Sequence, residues 1–395
     1  MILTRYILGA LATASVAYSA KKRDPVCIIG AGPAGLAAAT ALEQKGREVV
    51  IFEKQAKVGG KSQAVYKDGL FQPLGAVLFE KAAYVETMKI IEQTGVPYSD
   101  LSIGERWYFD WKTGAATLAP PVSQDLATAL GLEFQRYAAY WGTIHLPMTS
   151  VGYKDGIPPE LAVTGAQWLA QNGYQVLGLA MIDAFVTYGY GDYREIPALY
   201  MLEFYTPSIL AYMMGLTPGY KIDFHKLLVE YSKSVKGPIN LGADIKLISR
   251  WGAPLTNPFT PVTPEGQPIF FSALHQGSGV VNVWSWDKTG AKSNPDKARK
   301  LLKETLSKFN KDPRNSAQQA KAVTDKNIIG FNAVVDYFPH VGPAEIAQGW
   351  YDRFNALNGE DHTVYASGLN AFETVEHALR AGEMWWTLTC NRIAV

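Results

Sequence analysis

Residues 26–61 constrain the fold more than any other part of the chain, because they combine two apolar runs with regularly spaced glycines. Val26–Ile29 is a short apolar run that ends at Gly30, which is typical of a buried parallel strand. Residues 34–45 are rich in Ala and Leu and predict a helix, and residues 48–52 predict a second strand. The segment therefore predicts a strand–helix–strand unit within a parallel sheet.

The glycines of this segment form a G-x-G-x-x-G motif in which each glycine has its own task. Gly30 permits a tight turn, Gly32 lets the backbone approach a pyrophosphate without an intervening Cβ, and Gly35 allows close helix–strand packing. Pro33 and Ala34 begin the helix, where a proline's missing N–H is harmless. The positive end of the helix favours a bound diphosphate. A dinucleotide site is thus predicted, and a glycine-rich turn without a ligand is the alternative.

An acidic residue follows the second predicted strand, at the position where such sites often bind a ribose. Glu53 lies 23 residues after Gly30, and its carboxylate could accept hydrogen bonds from ribose hydroxyls. A carboxylate at this point would repel a 2′-phosphate, which disfavours NADP. Glu53 and its neighbour Lys54 are therefore both predicted to contribute to cofactor binding.

The element Gly59-Gly60-Lys61 makes the pattern more specific, because this stretch resembles the flavin-containing amine oxidases. Members of that superfamily follow the acid with a Gly-Gly-Arg/Lys element that lies along the diphosphate and ribityl chain of the flavin. The resemblance implies FAD as the cofactor and places Gly75 and Ala76 near the flavin ring. For Gly59 and Gly60, an ordinary loop is the alternative.

The C-terminal region predicts a second strand–glycine–helix unit. Residues 363–367 alternate β-forming side chains and end at Gly368, and a helix is predicted to begin near Glu373. The resemblance implies that this unit closes the FAD site, with Gly368, Phe372 and Glu373 beside the flavin. Glu373 has an alternative role as an acid that stabilises the first turn of its own helix.

The predicted fold class is α/β, with a Rossmann-like FAD-binding domain and an inserted, mainly helical substrate lobe, as in the two-lobe amine oxidases. The predicted segments are a signal peptide at 1–20, FAD-binding parts at 24–100 and 221–250, substrate-lobe parts at 101–220 and 251–330, and a closing FAD-binding segment at 331–395. The family's β-meander is not recognisable after Arg250, and this departure puts the adenine pocket in question.

A tyrosine-rich segment supplies the candidate substrate pocket. Residues 181–215 are similar to the helical lobe of the fungal beta-cyclopiazonate-dehydrogenase-like flavoproteins. Tyr188, Tyr190, Tyr200 and Tyr205 from this segment, together with Tyr337, are candidates for pocket lining. The alternative is a helical core with tyrosines at its rim.

The resemblance implies an FAD-dependent oxidoreductase of amine-oxidase type, in which hydride passes from an amine or alkaloid-like small molecule to flavin N5. Dioxygen is the expected acceptor, because no second G-x-G-x-x-G for a nicotinamide is present. Two alternatives stay open: a flavin desaturase or isomerase that does not use oxygen, and a non-catalytic flavin-binding protein. No catalytic residue is assigned, and His340 is either a solvent-facing loop residue or part of a family-like motif.

Composition excludes several other classes of protein. A formal net charge of +1 gives no electrostatic case for nucleic acid binding. No metal-binding motif is present, and Cys27 is expected to be a small buried apolar residue. Residues 1–20 predict a secretory signal that is too weakly apolar for a stable membrane span, so a secreted protein is expected, with a cytoplasmic one as the alternative.

Overall fold

The computed structural model describes residues 24–101, 104–146, 151–245, 267–275, 277–285, 294–315, 317–334 and 337–389. The strands are β1 (Val26–Ile29), β2 (Val49–Glu53), β3 (Ala64–Lys67), β4 (Leu70–Pro73), β5 (Leu78–Phe79), β6 (Tyr98–Leu101), β7 (Trp107–Phe109), β8 (Ala116–Leu118), β9 (Gly219–Ile222), β10 (Ile239–Leu241), β11 (Pro268–Ser272) and β12 (Asn282–Ser285). The α-helices are α1 (Pro33–Gln44), α2 (Val85–Thr94), α3 (Gln124–Tyr140), α4 (Gly165–Gln171), α5 (Leu177–Thr187), α6 (Ala198–Phe204), α7 (Pro207–Met213), α8 (Phe224–Ser232), α9 (Pro295–Phe309), α10 (Pro343–Ala347), α11 (Trp350–Ala356) and α12 (Val375–Thr389).

A parallel sheet with the strand order β1–β2–β10 forms the base of the molecule. Helix α1 joins β1 to β2, since two parallel strands require a crossover connection. The chain returns to this sheet much later, when Ile239 pairs with Ile51 in β2. The predicted strand–helix–strand unit and the predicted α/β class are thus confirmed.

Gly30 and Gly35 have the packing roles that their motif predicts. Gly30 adopts a φ of +103°, which side chains rarely tolerate. A Cβ on Gly35 would lie 2.0 Å from the carbonyl oxygen of Gly30, so only glycine lets α1 start so close to β1.

Helix α12, near the C-terminus, packs directly against α1. A Cβ on Gly382 would lie 2.3 Å from the carbonyl oxygen of Ala34 and 2.9 Å from Cβ of Ala37. The buried carboxylate of Glu376 on the same helix accepts hydrogen bonds from the N–H groups of Glu86 (3.0 Å) and Thr87 (2.9 Å). Helix α12 therefore caps the start of α2, whose own flanking residue provides no side-chain cap.

Two expectations about local structure are wrong. Residues 363–367 form no β-ladder with the strands that the structure describes. Asparagine side chains explain this: Asn358 accepts the N–H of Tyr365 (2.8 Å), and Asn370 accepts the N–H of Ser367 (2.7 Å). Backbone donors that a ladder would need are thereby already satisfied locally.

Cys27 is exposed rather than buried. Strand β1 lies at the edge of the described sheet, and its side chains alternate between two faces. Ile28 faces the core at 7% exposure, whereas Cys27 and Ile29 point to the opposite face.

Most of the helices belong to a lobe whose centre is aromatic. Phe204 stacks on Phe372 with ring centroids 5.6 Å apart, and Phe185 contacts Phe204 at 5.6 Å and Phe338 at 6.5 Å. Because Phe372 precedes α12, this core joins the helical lobe to the C-terminal closing segment. Within the described residues, every helix is too short or too polar to cross a lipid bilayer.

Two predicted regions lie outside the described residues, namely the signal segment at 1–20 and the atypical stretch after Arg250. The division of the chain into FAD-binding and substrate segments stays a prediction.

We expect Gly382→Ala to lower the free energy of unfolding by roughly 1–3 kcal/mol, because the added methyl group would force α12 away from α1. Urea denaturation of the purified chain measures this change. The matched control is Gly131→Ala in α3, where the new methyl group meets open space. This control should stabilise the protein by about 0.5–1 kcal/mol, and equal effects of both substitutions would contradict the proposed close helix contact.

Candidate functional site

A cavity of about 1540 Å³ connects the N-terminal glycine motifs with the C-terminal closing segment. The predicted site residues that line it are Gly30, Gly32, Pro33, Ala34, Gly35, Gly60, Lys61, Gly75, Ala76, Tyr188, Tyr190, Tyr337, Gly368 and Glu373. The predicted residues that do not line it are Glu53, Lys54, Gly59, Tyr200, Tyr205 and Phe372. Fourteen residues from distant parts of the sequence are thus brought to one space, and their roles in cofactor binding stay predictions.

Two glycine-rich loops lie next to each other at one part of the cavity wall. A Cβ on Gly32 would lie 3.7 Å from Cα of Gly60, which is an ordinary contact distance. Gly32 precedes α1, and Pro33 occupies the first helical position. The N–H groups of Ala34 and Gly35 then belong to the first helical turn, where donors have no partner within the helix. The two loops are therefore in contact, and together they present bare backbone and helix-end donors to the cavity beside them.

The Glu53 carboxylate is 4% exposed and holds the glycine turn in place. One carboxylate oxygen accepts the N–H of Ala31 at 2.7 Å, and the other accepts the N–H of Gln55 at 2.8 Å. Lys54 is exposed on the outside of the cavity, because side chains alternate at the end of β2. Gly59 supports the turn as well, since its N–H donates to Ala31 (2.9 Å).

An ion pair at the cavity joins the N-terminal glycine loop to the C-terminal closing segment. Nζ of Lys61 lies 2.6 Å from Oε1 of Glu373. Glycines make room for this pair: a Cβ on Gly75 would meet the carbonyl oxygen of Lys61 at 2.1 Å, and one on Gly368 would meet Oε2 of Glu373 at 2.9 Å. Lys61 Nζ also lies 5.5 Å from the ring centre of Tyr337.

Three tyrosines form an aromatic wall of the same cavity. The rings of Tyr190 and Tyr337 are stacked, with centroids 5.9 Å apart and an interplanar angle of 16°. The Tyr190 hydroxyl donates to the carbonyl oxygen of Glu373 at 3.1 Å. Burial raises the pKa of Tyr188 and the pKa of Tyr190, so both phenols stay neutral at physiological pH.

Tyr200 and Tyr205 are core residues, and placing Tyr200 in the substrate pocket is wrong. Tyr200 is 1% exposed, its hydroxyl lies 2.9 Å from that of Tyr351, and burial raises its pKa to about 12. Tyr205 is fully buried and donates to the carbonyl oxygen of Met181. Phe372 is 1% exposed and stacks within the aromatic core beside the cavity. Helix packing turned these rings inward, and sequence spacing alone could not show this.

His340 is half-buried and lines the cavity. Its ring stacks on Phe338 with centroids 4.6 Å apart, and Nδ1 lies 2.8 Å from the carbonyl oxygen of the same residue. Because a carbonyl only accepts, Nδ1 must carry the proton, which leaves Nε2 as an acceptor. Burial lowers the His340 pKa, so the neutral ring is favoured. Tyr84 and Phe204 also line the cavity, and the sequence contained no signal for either.

A buried carboxylate lies just behind the aromatic wall. Glu203 Oε1 lies 3.6 Å from Nε2 of His145, and Oε2 lies 3.4 Å from Nε2 of His377. Burial alone would raise the Glu203 pKa, but the two histidines outweigh it and hold that pKa well below its usual range. Nδ1 of His377 lies 2.7 Å from the Thr374 hydroxyl oxygen, so the cluster is linked to the residue that follows Glu373. In the described part of the chain, no group of three or more His, Cys, Asp or Glu side chains has an arrangement that could hold a metal ion.

Comparisons with known proteins agree with this geometry. Residues 28–93 match the family of NAD(P)-binding Rossmann-like domains. The FAD-dependent oxidoreductase dpasF of Apiospora sacchari is 26% identical over 45% of this chain and 38% of its own length. The FAD-dependent oxidoreductase dpchF of Colletotrichum higginsianum is 28% identical over 49% of this chain and 41% of its own length. Each of these two matches covers less than half of this chain, and both relatives are named as FAD-dependent oxidoreductases.

A solved structure shares this fold over nearly the whole length of the chain. The crystal structure of a fatty acid isomerase from P. acnes superimposes with a TM-score of 0.74, covering 95% of this chain and 100% of that chain at 18% identity. The predicted architecture is therefore confirmed, whereas membership of the amine-oxidase superfamily and of the narrower fungal subgroup stays a prediction. The chain spans about two fifths of the length of the two curated oxidoreductases that it matches.

We expect Glu203→Gln to lower the free energy of unfolding at pH 7 by about 1–3 kcal/mol, because a neutral amide cannot replace a carboxylate between two histidines. A depressed carboxyl pKa stabilises the folded state above its unfolded value of about 4.3 and loses that effect as pH falls through the folded value. The difference between wild type and variant should thus shrink at acidic pH in urea denaturation.

The control for this experiment is Glu304→Gln on α9, where the carboxylate is exposed and its nearest ion-pair partner, Lys300, is 3.9 Å away. It should change stability little at any pH. A loss in Glu203→Gln that does not vary with pH would show that packing, and not charge, holds the cluster together.

Proposed function

We propose that this chain is an FAD-dependent oxidoreductase that takes a hydride from a C–H bond of a small, largely apolar molecule. One observation carries the proposal: the facing glycine loops, the closing segment and the tyrosine wall line a single cavity. A cofactor that binds at one end of this space would meet a substrate that packs at the other. Both curated relatives described above are named as FAD-dependent oxidoreductases.

The residues present fit the diphosphate of a dinucleotide. Gly32 and Gly60 pack against each other without side chains, and the first turn of α1 presents N–H groups that have no partner within the helix to the cavity beside them. Lys61 contributes a positive charge at the same loop. These residues would hold the diphosphate, while Gly75, Ala76 and the 368–373 segment would enclose the flavin.

Bound FAD supplies a two-electron acceptor, and the protein supplies position and a dry environment. Tyr188 and Tyr190 offer neutral aromatic surface to a substrate. The acids that line the cavity are Glu373 and Asp312, and each is already ion-paired, with Lys61 and with Arg314. The cavity therefore favours a neutral reacting centre over a positively charged one.

The resemblance to amine oxidases also implies an amine or alkaloid-like donor and dioxygen as the acceptor. Anaerobic mixing of FAD-loaded protein with a panel of primary and secondary amines tests the donor through loss of the visible flavin absorbance. Admission of air followed by peroxide measurement then tests the acceptor. Absence of flavin from the purified protein, together with no uptake on reconstitution, would overturn the proposed function.

A flavin isomerase or desaturase that does not use oxygen is the second candidate. His340 favours a desaturase, because a desaturase removes a proton as well as a hydride from its substrate, and this neutral ring lines the cavity with Nε2 as an acceptor. Flavin that is reduced by a substrate under nitrogen, but is not reoxidised by air with peroxide formation, would favour this candidate over the oxidase.

We expect Gly32→Ala to weaken FAD binding at least about tenfold while leaving stability nearly unchanged. The added methyl group would cover the bare backbone that the two loops present to the cavity, yet it meets no protein atom closer than 3.7 Å. Flavin fluorescence titration measures the affinity, and thermal unfolding of the FAD-free protein measures the stability. Gly131→Ala, in α3, is the control and should bind FAD as the wild type does. Unchanged affinity in Gly32→Ala would show that the diphosphate lies elsewhere.

A further inference from the structure

One part of the cavity is lined by helix α9 and by the hairpin formed by β11 and β12, and we call this part the annex. Helix α9 forms one wall through Ala298, Leu302, Leu306 and Phe309. These residues are three or four positions apart, so they lie on one side of the helix. The eleven residue steps from Ala298 to Phe309 in α9 make the apolar wall about 16 Å long.

The other walls of the annex are apolar as well. Ile269 and Phe271 of β11 face it, and Phe271 packs against Phe309 with ring centroids 5.7 Å apart. Val281 is 54% exposed and Ile329 is 43% exposed, and both of these side chains line the cavity. Apolar surface that is left open inside a concave wall is typical of a site for an apolar ligand.

The annex is connected to the space beside the tyrosines. Phe270, on the opposite face of the hairpin from Phe271, lies 6.5 Å from Tyr188 between ring centroids. Side chains on both faces of the hairpin line one cavity, so a long ligand could extend from the annex to the tyrosine wall.

Positive charge gathers around the annex. Lys67, Lys311, Lys321 and Lys326 line the cavity, and none of them forms an ion pair with an acidic side chain that the structure describes. Lys311 and Lys321 meet at the C-terminal end of α9, where the N–H of Lys321 donates to the carbonyl oxygen of Asn310 at 3.1 Å. Lysines are also common at helix C-termini, where their charge interacts favourably with the helix dipole. Lys311 and Lys321 in addition lie at the end of an apolar wall.

We propose that the annex binds a long unbranched hydrocarbon chain that ends in a carboxylate. The chain would lie along the apolar side of α9, with its carboxylate at Lys311 and Lys321 and its distal carbons toward Tyr188. Apolar walls recognise the chain, and the lysines select an anion over a neutral or cationic end group. This inference rests on the proposed function and identifies the substrate class of the same site.

Three ligands that share one chain test the proposal: dodecanoate, dodecanol and dodecylamine. Each displaces cis-parinaric acid, a fluorescent fatty acid, from the FAD-loaded full chain. We expect dodecanoate to bind at least about tenfold more tightly than dodecanol, with dodecylamine the weakest, and hexanoate to bind at least about tenfold more weakly than dodecanoate. Equal affinities for the three end groups, or for the short and long acids, would overturn the proposed ligand of the annex.

Amino-acid substitutions test the lysines and the apolar wall of the annex separately. Lys311→Gln combined with Lys321→Gln should remove the preference for dodecanoate over dodecanol without weakening dodecanol. Leu302→Asp should weaken all three ligands at least about tenfold, and Leu306→Trp, which fills the annex without adding charge, should do the same. Lys300→Gln, a lysine of α9 with 76% side-chain exposure that does not line the cavity, is the matched control and should change none of these affinities.

Different experimental results would overturn the proposed function and the proposed ligand of the annex. Repeating the displacement assay with FAD-free protein shows whether the annex binds the acid when no flavin is present. Bound flavin with no displacement by dodecanoate would overturn the annex and leave the oxidoreductase intact. Displacement by dodecanoate in a protein that never takes up FAD would support the annex and overturn the oxidoreductase.

Discussion

The contact between the first and the last described helices is the constraint on which the rest of the structure depends. Gly382 lets α12 approach the backbone of α1, and Glu376 on α12 caps the start of α2. With α12 fixed, the turn that precedes it must lie over the glycine loops of the Rossmann unit. The cavity thus exists because two segments more than 300 residues apart in sequence pack with almost no side chain between them.

The closing turn is held at several points by different kinds of interaction. Glu373 pairs with Lys61 on one side, and its carbonyl oxygen accepts the Tyr190 hydroxyl on the other. Thr374, the next residue, contacts His377, which reaches the buried Glu203. A shift of this turn would therefore disturb the glycine loops, the aromatic wall and the buried cluster together, which makes it the element that links these three parts of the structure.

Several sequence predictions succeeded because they depend on local geometry. The strand Val26–Ile29 and the tight packing at Gly35 follow from a short run of residues whose backbone has few alternatives. Predictions that depend on the direction in which a side chain points were less reliable. Tyr188 and Tyr190 line the cavity while Tyr200 lies in the core, since each ring's direction is set by the helices packed against it. Residues 363–367 have strand-like alternation, but asparagine side chains occupy their backbone donors.

By itself, the sequence determined the Rossmann unit and the positions in it where the backbone must stay free of side chains, because these depend on residue types at fixed spacing. Only the tertiary structure decided that Glu53 supports the glycine turn, that His340 faces the cavity, and that α9 lends an apolar wall to the annex. Each of these depends on contacts between residues far apart in the chain. Spacing fixes what a short segment can form, whereas burial and charge at a site depend on the segments that pack around it.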